Sequence, residues 1–308
     1  MEYDIIVLGG GPGGYLAAER AGQAQKKVLC IEEAHLGGTC LNEGCIPTKT
    51  LLYSGKLYAH AKHSQAYGVH AKDVTLDHSA VIDRKEQVIR TLVGGVGATL
   101  KACHVDVVDA KGVITGRTAD GCTVEAGGQT YTAKNLIIAT GSSCAVPPIP
   151  GLKEGLASGF VLTNREMLAL RELPQHLVVL GGGVIVQRFG DLVRGRRSTV
   201  KRIEEGLVRP TLSATPGDLS LVLPKRILDG IMEMIYALDK IAPGTANDDS
   251  LLYGVEVKFY NMEVEIDDNL ESCHKGLYVI GDGSGVTHSL SHASASGIYV
   301  ARHIAGQK

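Results

Sequence analysis

The sequence carries no charge excess of either sign. Its 31 Lys and Arg stand against 33 Asp and Glu, a formal net charge of −2, so there is no bulk attraction to nucleic acid or to an anionic membrane. The opening Met-Glu-Tyr-Asp has no basic n-region. The first apolar run, IIVL, is far too short for a membrane span. The expected compartment is therefore the cytoplasm. Without a secretion signal, seven cysteines do not read as a structural disulfide framework. Cys30, Cys103, Cys122, Cys144 and Cys273 are scattered and read as small buried or surface residues.

The residues that are present describe a large folded chain. With 308 residues, 44% hydrophobic and 21% charged, it can bury a sizeable core in one or two domains. Glycine is plentiful: 39 residues, roughly twice the usual ~7% share. The glycines cluster in GGGPGG, GGTC, VGGVG, GGG and GDGSG, a pattern that suggests backbone brought close to ligands.

YDIIVL reads as a buried strand, GGGPGGYLAAERAGQA as a glycine turn opening an alanine-rich helix, and KKVLCIEE as a second strand ending in acid. This β-α-β unit places Gly9-x-Gly11-x-x-Gly14 at its turn and Glu32 eighteen residues beyond the last glycine. In that context the fingerprint signals a dinucleotide site. Glycines admit a pyrophosphate to the backbone, the helix start supplies N–H groups, and the acid takes ribose hydroxyls.

Further on, LLYSGKLYAHA is expected to be helical. Residues 85–102 form an amphipathic helix with Val88, Ile89, Leu92, Val93, Val96 and Leu100 on its apolar face. VDVVDA, CTVEA and QTYTA alternate like strands, with Gly127-Gly128 at a hairpin turn. LIIATGS is a buried strand meeting a loop at Thr140-Gly141, and VPPIPG is linker-like. A second glycine turn, Gly181-x-Gly183-x-x-Val186, has valine in place of its third glycine. STVKRIEE reads as the strand after it, interrupted by Lys201 and Arg202 and carrying Glu204 as ribose acceptor. Residues 224–240 form an amphipathic helix in which Met232 and Met234 are core candidates. LLYGVEVKFYNMEVEID reads as strand, KGLYVIGDG as a buried strand ending in Gly281-Asp282, and SHASASGIYVARHIA as a closing helix with a small-residue face.

The segment GGTCLNEGCIPTK, residues 37–49, holds two cysteines five apart. At ~100° per residue such positions diverge by roughly 140° on a regular helix, so a bridge needs a distorted first turn, for which Gly44 and Pro47 are suited. Three readings stay open: a redox disulfide, two unpaired thiols, or a metal clip. Zinc would need two further ligands, and only His35 is near in sequence. A helix start would lower a thiol pKa.

Taken in order, DIIVLGGGPGG, IEE, GGTCLNEGCIPTK, IIATGS and YVIGD resemble the flavin-dependent pyridine-nucleotide disulfide oxidoreductases, densely over residues 1–186. From residue 187 the chain resembles the C-terminal half of a group of uncharacterised FAD-dependent dehydrogenase-like proteins. The resemblance implies an α/β fold with a two-segment, Rossmann-like FAD-binding domain of glutathione-reductase type. Its segments would be 1–150 and 263–308, with a smaller inserted domain at 151–262. It implies FAD as cofactor, held by Gly9, Gly11, Gly13, Gly14, Glu32, Gly38, Thr39, Lys49, Thr140, Gly141, Gly281 and Asp282. It also makes Cys40 the sulfur that exchanges with substrate and Cys45 the one against the flavin. The implied partner is a small-molecule or protein-bound dithiol or disulfide, with assembly with a second copy of the chain left open. NAD(P) enters as a second candidate cofactor with only the Gly181 turn to hold it. Family members carry a full NAD domain and, after it, a dimerisation domain with a His-Glu pair; neither motif is visible here. His288 and His292 are secondary acid/base candidates, and the Arg194–Arg202 run is a candidate phosphate contact.

Overall fold

The computed structural model describes residues 2–306 except 119–120, 179–184, 211–213, 255–262 and 288. Contacts divide the chain into two compact units: Met1–Leu173 with Tyr260–Lys308, and Pro174–Phe259.

The larger unit is built on a parallel sheet. In chain order it runs β1 (Glu2–Leu8), α1 (Pro12–Gln23), β2 (Val28–Glu32), α2 (Gly38–Asn42), α3 (Cys45–His63), α4 (His78–Ala102), β3 (Val105–Asp109), β4 (Val113–Thr118), β5 (Gly121–Ala126) and β6 (Gln129–Ile138). Two short helices follow, α5 (Leu152–Ala157) and α6 (Asn164–Ala169). After the smaller unit, whose elements are β7 to β9 and α7 to α9, the chain returns as β10 (Leu277–Val279) and α10 (Leu290–Ala305).

Strands β3, β2, β1 and β6 lie side by side in parallel register. Strand β6 is forked. One edge pairs with β1 along its length, while the other pairs with β5 over Gln129–Ala133 and with β10 over Leu136–Ile138. QTYTA and LIIA, two strands by sequence, are thus one strand whose halves serve different neighbours. The β5–β6 hairpin turns at Gly127-Gly128, both at positive φ, as a two-residue turn with matching twist demands.

Alternate residues of the central strands feed two cores. Ile5, Val7, Val28, Cys30 and Ile137 face the helices, with Ala17, Ala18, Ala21, Leu100, Val300 and Ala301. Ile6, Leu8, Leu29, Ile31 and Leu136 face the other way, under Cys122, Val124, Tyr131 and Ala133 of the meander. Burial on both faces explains why β1 and β2 read as unbroken apolar runs.

Helix α4 starts at His78, seven residues earlier than expected, because Asp77 accepts a cap bond from the Ala80 N–H at 3.0 Å. The VGGVG cluster lies inside this helix, where Cβ atoms on Gly94 or Gly95 would meet nothing within 4 Å. Those two glycines approach no neighbouring group, unlike Gly9 and Gly14 of the first cluster, whose Cβ atoms would lie 2.3 Å from Ala139 O and 1.8 Å from Gly9 O.

In the smaller unit β7 (Ile185–Arg188) pairs in parallel with β8 (Thr215–Pro216) and antiparallel with β9 (Leu251–Gly254). Its core joins Leu192 of α7 (Phe189–Val193), Leu219 and Leu228, the last from α9 (Lys225–Asp239). Met232 packs against that core, but Met234 is 53% exposed. STVKRIEE is not a strand: Val200–Glu204 is helix α8, capped by the Thr199 hydroxyl, which accepts from Arg202 N. Lys, Arg and Glu are good helix formers, and the cap outweighs the short β-like start.

Gly181 and Gly183 lie outside the described residues, as do most of VKFYNMEV and His288. Val186, where a second nucleotide turn would enter its helix, lies in strand β7. The described residues therefore do not build a second strand–turn–helix, and no residue is assigned to NAD(P).

Candidate active site

The glycine turn, Glu32, the cysteine segment, Thr140-Gly141 and Gly281-Asp282 follow the carboxyl ends of β1, β2, β6 and β10, the side on which open α/β sheets bind ligands. β1 ends at Leu8, and Gly9 follows with its N–H donating to Ile31 O at 2.8 Å. A Cβ on Gly14 would lie 1.8 Å from Gly9 O, and one on Gly9 would lie 2.3 Å from Ala139 O. Only glycines let the turn, the helix start and the end of β6 pass this closely. Pro12 opens α1, whose N-terminus has no side-chain cap, so the N–H groups of its first turn have no side-chain acceptor, as at helix starts that bind anions.

Glu32 closes the turn. Its Oε2 accepts from Gly10 N at 2.6 Å and its Oε1 from Ala34 N at 2.8 Å. The acid expected to meet a ribose thus also braces the glycine loop, and each oxygen keeps a lone pair for a hydroxyl. Gly38 lies against the same turn, where a Cβ would come within 2.7 Å of Gly11 Cα. Thr39 is exposed beside it.

From the other side, Thr140 and Gly141 are exposed just past β6. A Cβ on Gly283, next to Asp282, would sit 3.0 Å from Gly141 O. Gly281 is fixed by its N–H donating to Ser296 Oγ at 3.3 Å, and Asp282 is exposed at the loop tip. The small face of α10 makes this closure: Ala293, Ser296, Gly297, Val300 and Ala301 are buried along it, and a Cβ on Gly297 would lie 2.1 Å from Gly13 O. The Thr287 hydroxyl, buried in the same stretch, has no protein partner. His292 is exposed.

The cysteines sit on two helices rather than one. Cys40 is in α2, Cys45 opens α3, and Glu43-Gly44 separate them. The break overcomes the angular divergence of a five-residue spacing: the two side chains are free thiols within hydrogen-bonding reach of each other. Asn42 braces the turn, its Nδ2 donating to Leu36 O at 3.0 Å and Gly38 O at 2.9 Å. Lys49 lies one turn after Cys45 on α3.

A lowered thiol pKa is not what the structure gives at Cys40. Burial first, then the hydrogen bond and charge of Cys45, push it up to about 12, while the Lys49 ammonium pulls it down. The five residues of α2 are too short for a strong dipole, and desolvation of the thiolate wins. Tyr15 of α1 is also pushed up, by burial and then by the charge of Cys40. Among the described residues no group of three or more His, Cys, Asp or Glu side chains is gathered as a metal would require.

The Arg194–Arg202 run is largely committed within the smaller unit. Arg194 pairs with Asp248 at 2.5 Å and Arg196 with the fully buried Asp191 at 2.7 Å.

Sequence comparison decides the family. The family model described as pyridine nucleotide-disulphide oxidoreductase matches residues 3–206. The chain belongs to that family. A dihydrolipoyl dehydrogenase of Acholeplasma laidlawii is 35% identical over 98% of the chain and 96% of its own length. One from Mycoplasma genitalium is 30% identical over the whole chain and 72% of its own length. One from Bacillus subtilis is 45% identical over 62% of the chain but only 39% of its own length. Likeness at the 30–35% level therefore runs on past residue 186. A solved structure of LpdA from Mycobacterium tuberculosis superposes with a TM-score of 0.64 at 20% identity, covering 99% of this chain and 73% of that one, and shows the same fold. Membership makes the chain a flavin-dependent oxidoreductase that acts on disulfides, with FAD as its cofactor. The glycine cradle, the uncapped helix start and the orphaned Thr287 hydroxyl fit such a group.

Proposed function

We propose that Cys40 and Cys45 form the reversible dithiol–disulfide couple of this chain and oxidise a dithiol substrate of the dihydrolipoyl class. The observation that carries the reading is the break between α2 and α3, which brings two thiols five residues apart into contact beside the glycine cradle. The cradle residues Gly9, Gly11, Gly13, Gly14, Glu32 and Gly38, with Thr39, Lys49, Thr140, Gly141, Gly281 and Asp282, hold FAD across the strand ends. Bound FAD supplies the two-electron acceptor that returns the pair to the disulfide.

The chain's own residues do the exchange. A substrate thiolate attacks Cys40 Sγ, the Cys40–Cys45 bond breaks, and Cys45 leaves as thiolate. The second substrate thiol then attacks the sulfur of its own molecule in the mixed disulfide. Cyclic disulfide departs, and Cys40 leaves as a thiolate that then takes up a proton, a protonation its high pKa favours. Two electrons and two protons pass to the pair. Lys49 offers the charge that stabilises the transient thiolates.

The test uses the purified full chain with dihydrolipoamide as substrate. The expected result is formation of lipoamide matched by two new protein thiols per oxidised chain, mapped by alkylation to Cys40 and Cys45. Thiols appearing elsewhere, or unchanged exchange in Cys40→Ser, would refute the assignment. Flavin content, read from absorbance, is expected to survive that substitution.

A further inference from the structure

The break between α2 and α3 is held from outside the motif. With α2 ending at Asn42 and α3 opening at Cys45, the connector Glu43-Gly44 sets how the two cysteines face each other. Two side chains of α6, more than a hundred residues away, grip that connector. Asn164 Nδ2 donates to the Glu43 carbonyl at 2.8 Å, and Arg165 Nε meets Glu43 Oε2 at 2.6 Å.

The grip has a fixed base. Thr163 and Glu166 form a capping box that sets the start of α6, with Thr163 N donating to Glu166 Oε2 at 2.7 Å. From its last turn onward the chain is tied to α4. The buried Lys85 Nζ donates to Leu168 O at 3.0 Å, the His78 ring bonds Leu170 O at 2.9 Å, and Arg171 meets Asp83 at 2.8 Å. Helix α4 itself packs along α3. Residues 163–171 thus form a strap from α4 to the connector between the cysteines.

An ion pair as exposed as Arg165–Glu43, with the arginine side chain 58% exposed, adds little to global stability. Its effect is local, on the orientation of two residues. We propose that Asn164 and Arg165 are positioning residues for the redox pair, holding Glu43-Gly44 so that the Cys40 and Cys45 sulfurs stay within bonding reach and thereby setting the potential of their disulfide. This rests on the reading of Cys40–Cys45 as the redox couple.

The potential follows from the effective concentration of one thiol at the other. In exchange with glutathione, two glutathione thiols are oxidised to one glutathione disulfide as the protein bridge becomes two thiols. Any loosening of the connector spreads the sulfurs over more positions and favours the reduced side.

The experiment equilibrates the full chain in glutathione buffers of stepped ratio at pH 7, traps thiols by alkylation and weighs the peptide that carries both cysteines. For the double variant Asn164→Ala, Arg165→Met, the expected result is about a tenfold easier reduction, a shift of roughly +30 mV for a two-electron couple. The urea midpoint should stay near wild type, and Arg165→Lys alone should shift the potential less than Arg165→Met alone. Equal potentials for wild type and double variant overturn the proposal. If the double variant does not fold, Glu43→Gln removes the ion pair and keeps the carbonyl bond. A smaller shift in the same direction then supports the strap, and none overturns it. A wild-type chain that forms no Cys40–Cys45 bridge at any ratio overturns the redox reading and the strap together.

Discussion

Gly297→Ala and Gly95→Ala are the same substitution in the interiors of two helices, and the structure gives them opposite signs. In a helix Ala is favoured over Gly by about 1 kcal/mol. At Gly95 nothing lies within 4 Å of the added Cβ, so the substitution should stabilise the chain by roughly 0.4–1 kcal/mol. At Gly297 the new Cβ would stand 2.1 Å from Gly13 O and 3.3 Å from Ala17 N, all backbone that cannot rotate away. Helix α10 must retreat from α1 by on the order of 1 Å, a gap that forfeits roughly a quarter to a half of each facing dispersion contact. Overpacking of this kind costs about 1–3 kcal/mol. After the propensity gain of about 1 kcal/mol, a net loss of up to about 2 kcal/mol remains, as much as a roughly thirtyfold change in the folded ratio. Urea unfolding followed by circular dichroism reads both variants. With a slope of ~1–3 kcal/mol per molar, their midpoints should separate by on the order of 1 M. The retreat should also draw the Gly281-Asp282 loop away from the glycine turn, because Ser296 of the same helix holds Gly281. Flavin retained on gel filtration should fall for Gly297→Ala alone. A Gly297→Ala midpoint at or above wild type would refute the packing argument, as would an equal fall at Gly95.

Glu32→Gln replaces one bonded carboxylate oxygen with an amide group that must face the N–H of Gly10 or Ala34. An unsatisfied donor there costs about 1–3 kcal/mol, so flavin retention should drop several-fold; full retention would show that the acid does not hold the turn. Alkaline pH should destabilise the chain. Burial pushes Cys30 and Cys40 up from 9.0 to about 12, and burial with an Asp106 hydrogen bond pushes Tyr3 up from 10.0 to about 12. The unfolded chain therefore loses these protons first. Stability is fully present below about pH 9 and falls from there to about pH 12. A urea midpoint that is flat over that window would contradict the burial of these groups.

The glycine fingerprint and its acid were legible because they are local chemistry. A buried strand, a turn that tolerates no side chain and a helix start follow within fifteen residues, and each has its own residue signature. The same holds for the cysteine motif, where Gly44 signals the break in the helix. VGGVG shows the limit, since glycine composition does not tell a close approach from an exposed turn of α4. STVKRIEE shows another: a Thr cap at its start makes a helix of residues whose order looked like a strand.

By itself the chain's residue order determined the cradle, the cysteine pair and the small face of α10, because each depends on the size or reactivity of residues close in sequence. Tertiary structure decided the forked pairing of β6, the direction of the Cys40 pKa and the strap from α6 to Glu43. These depend on which distant groups arrive beside a residue. Desolvation and hydrogen bonding are properties of that neighbourhood, and no local pattern encodes it.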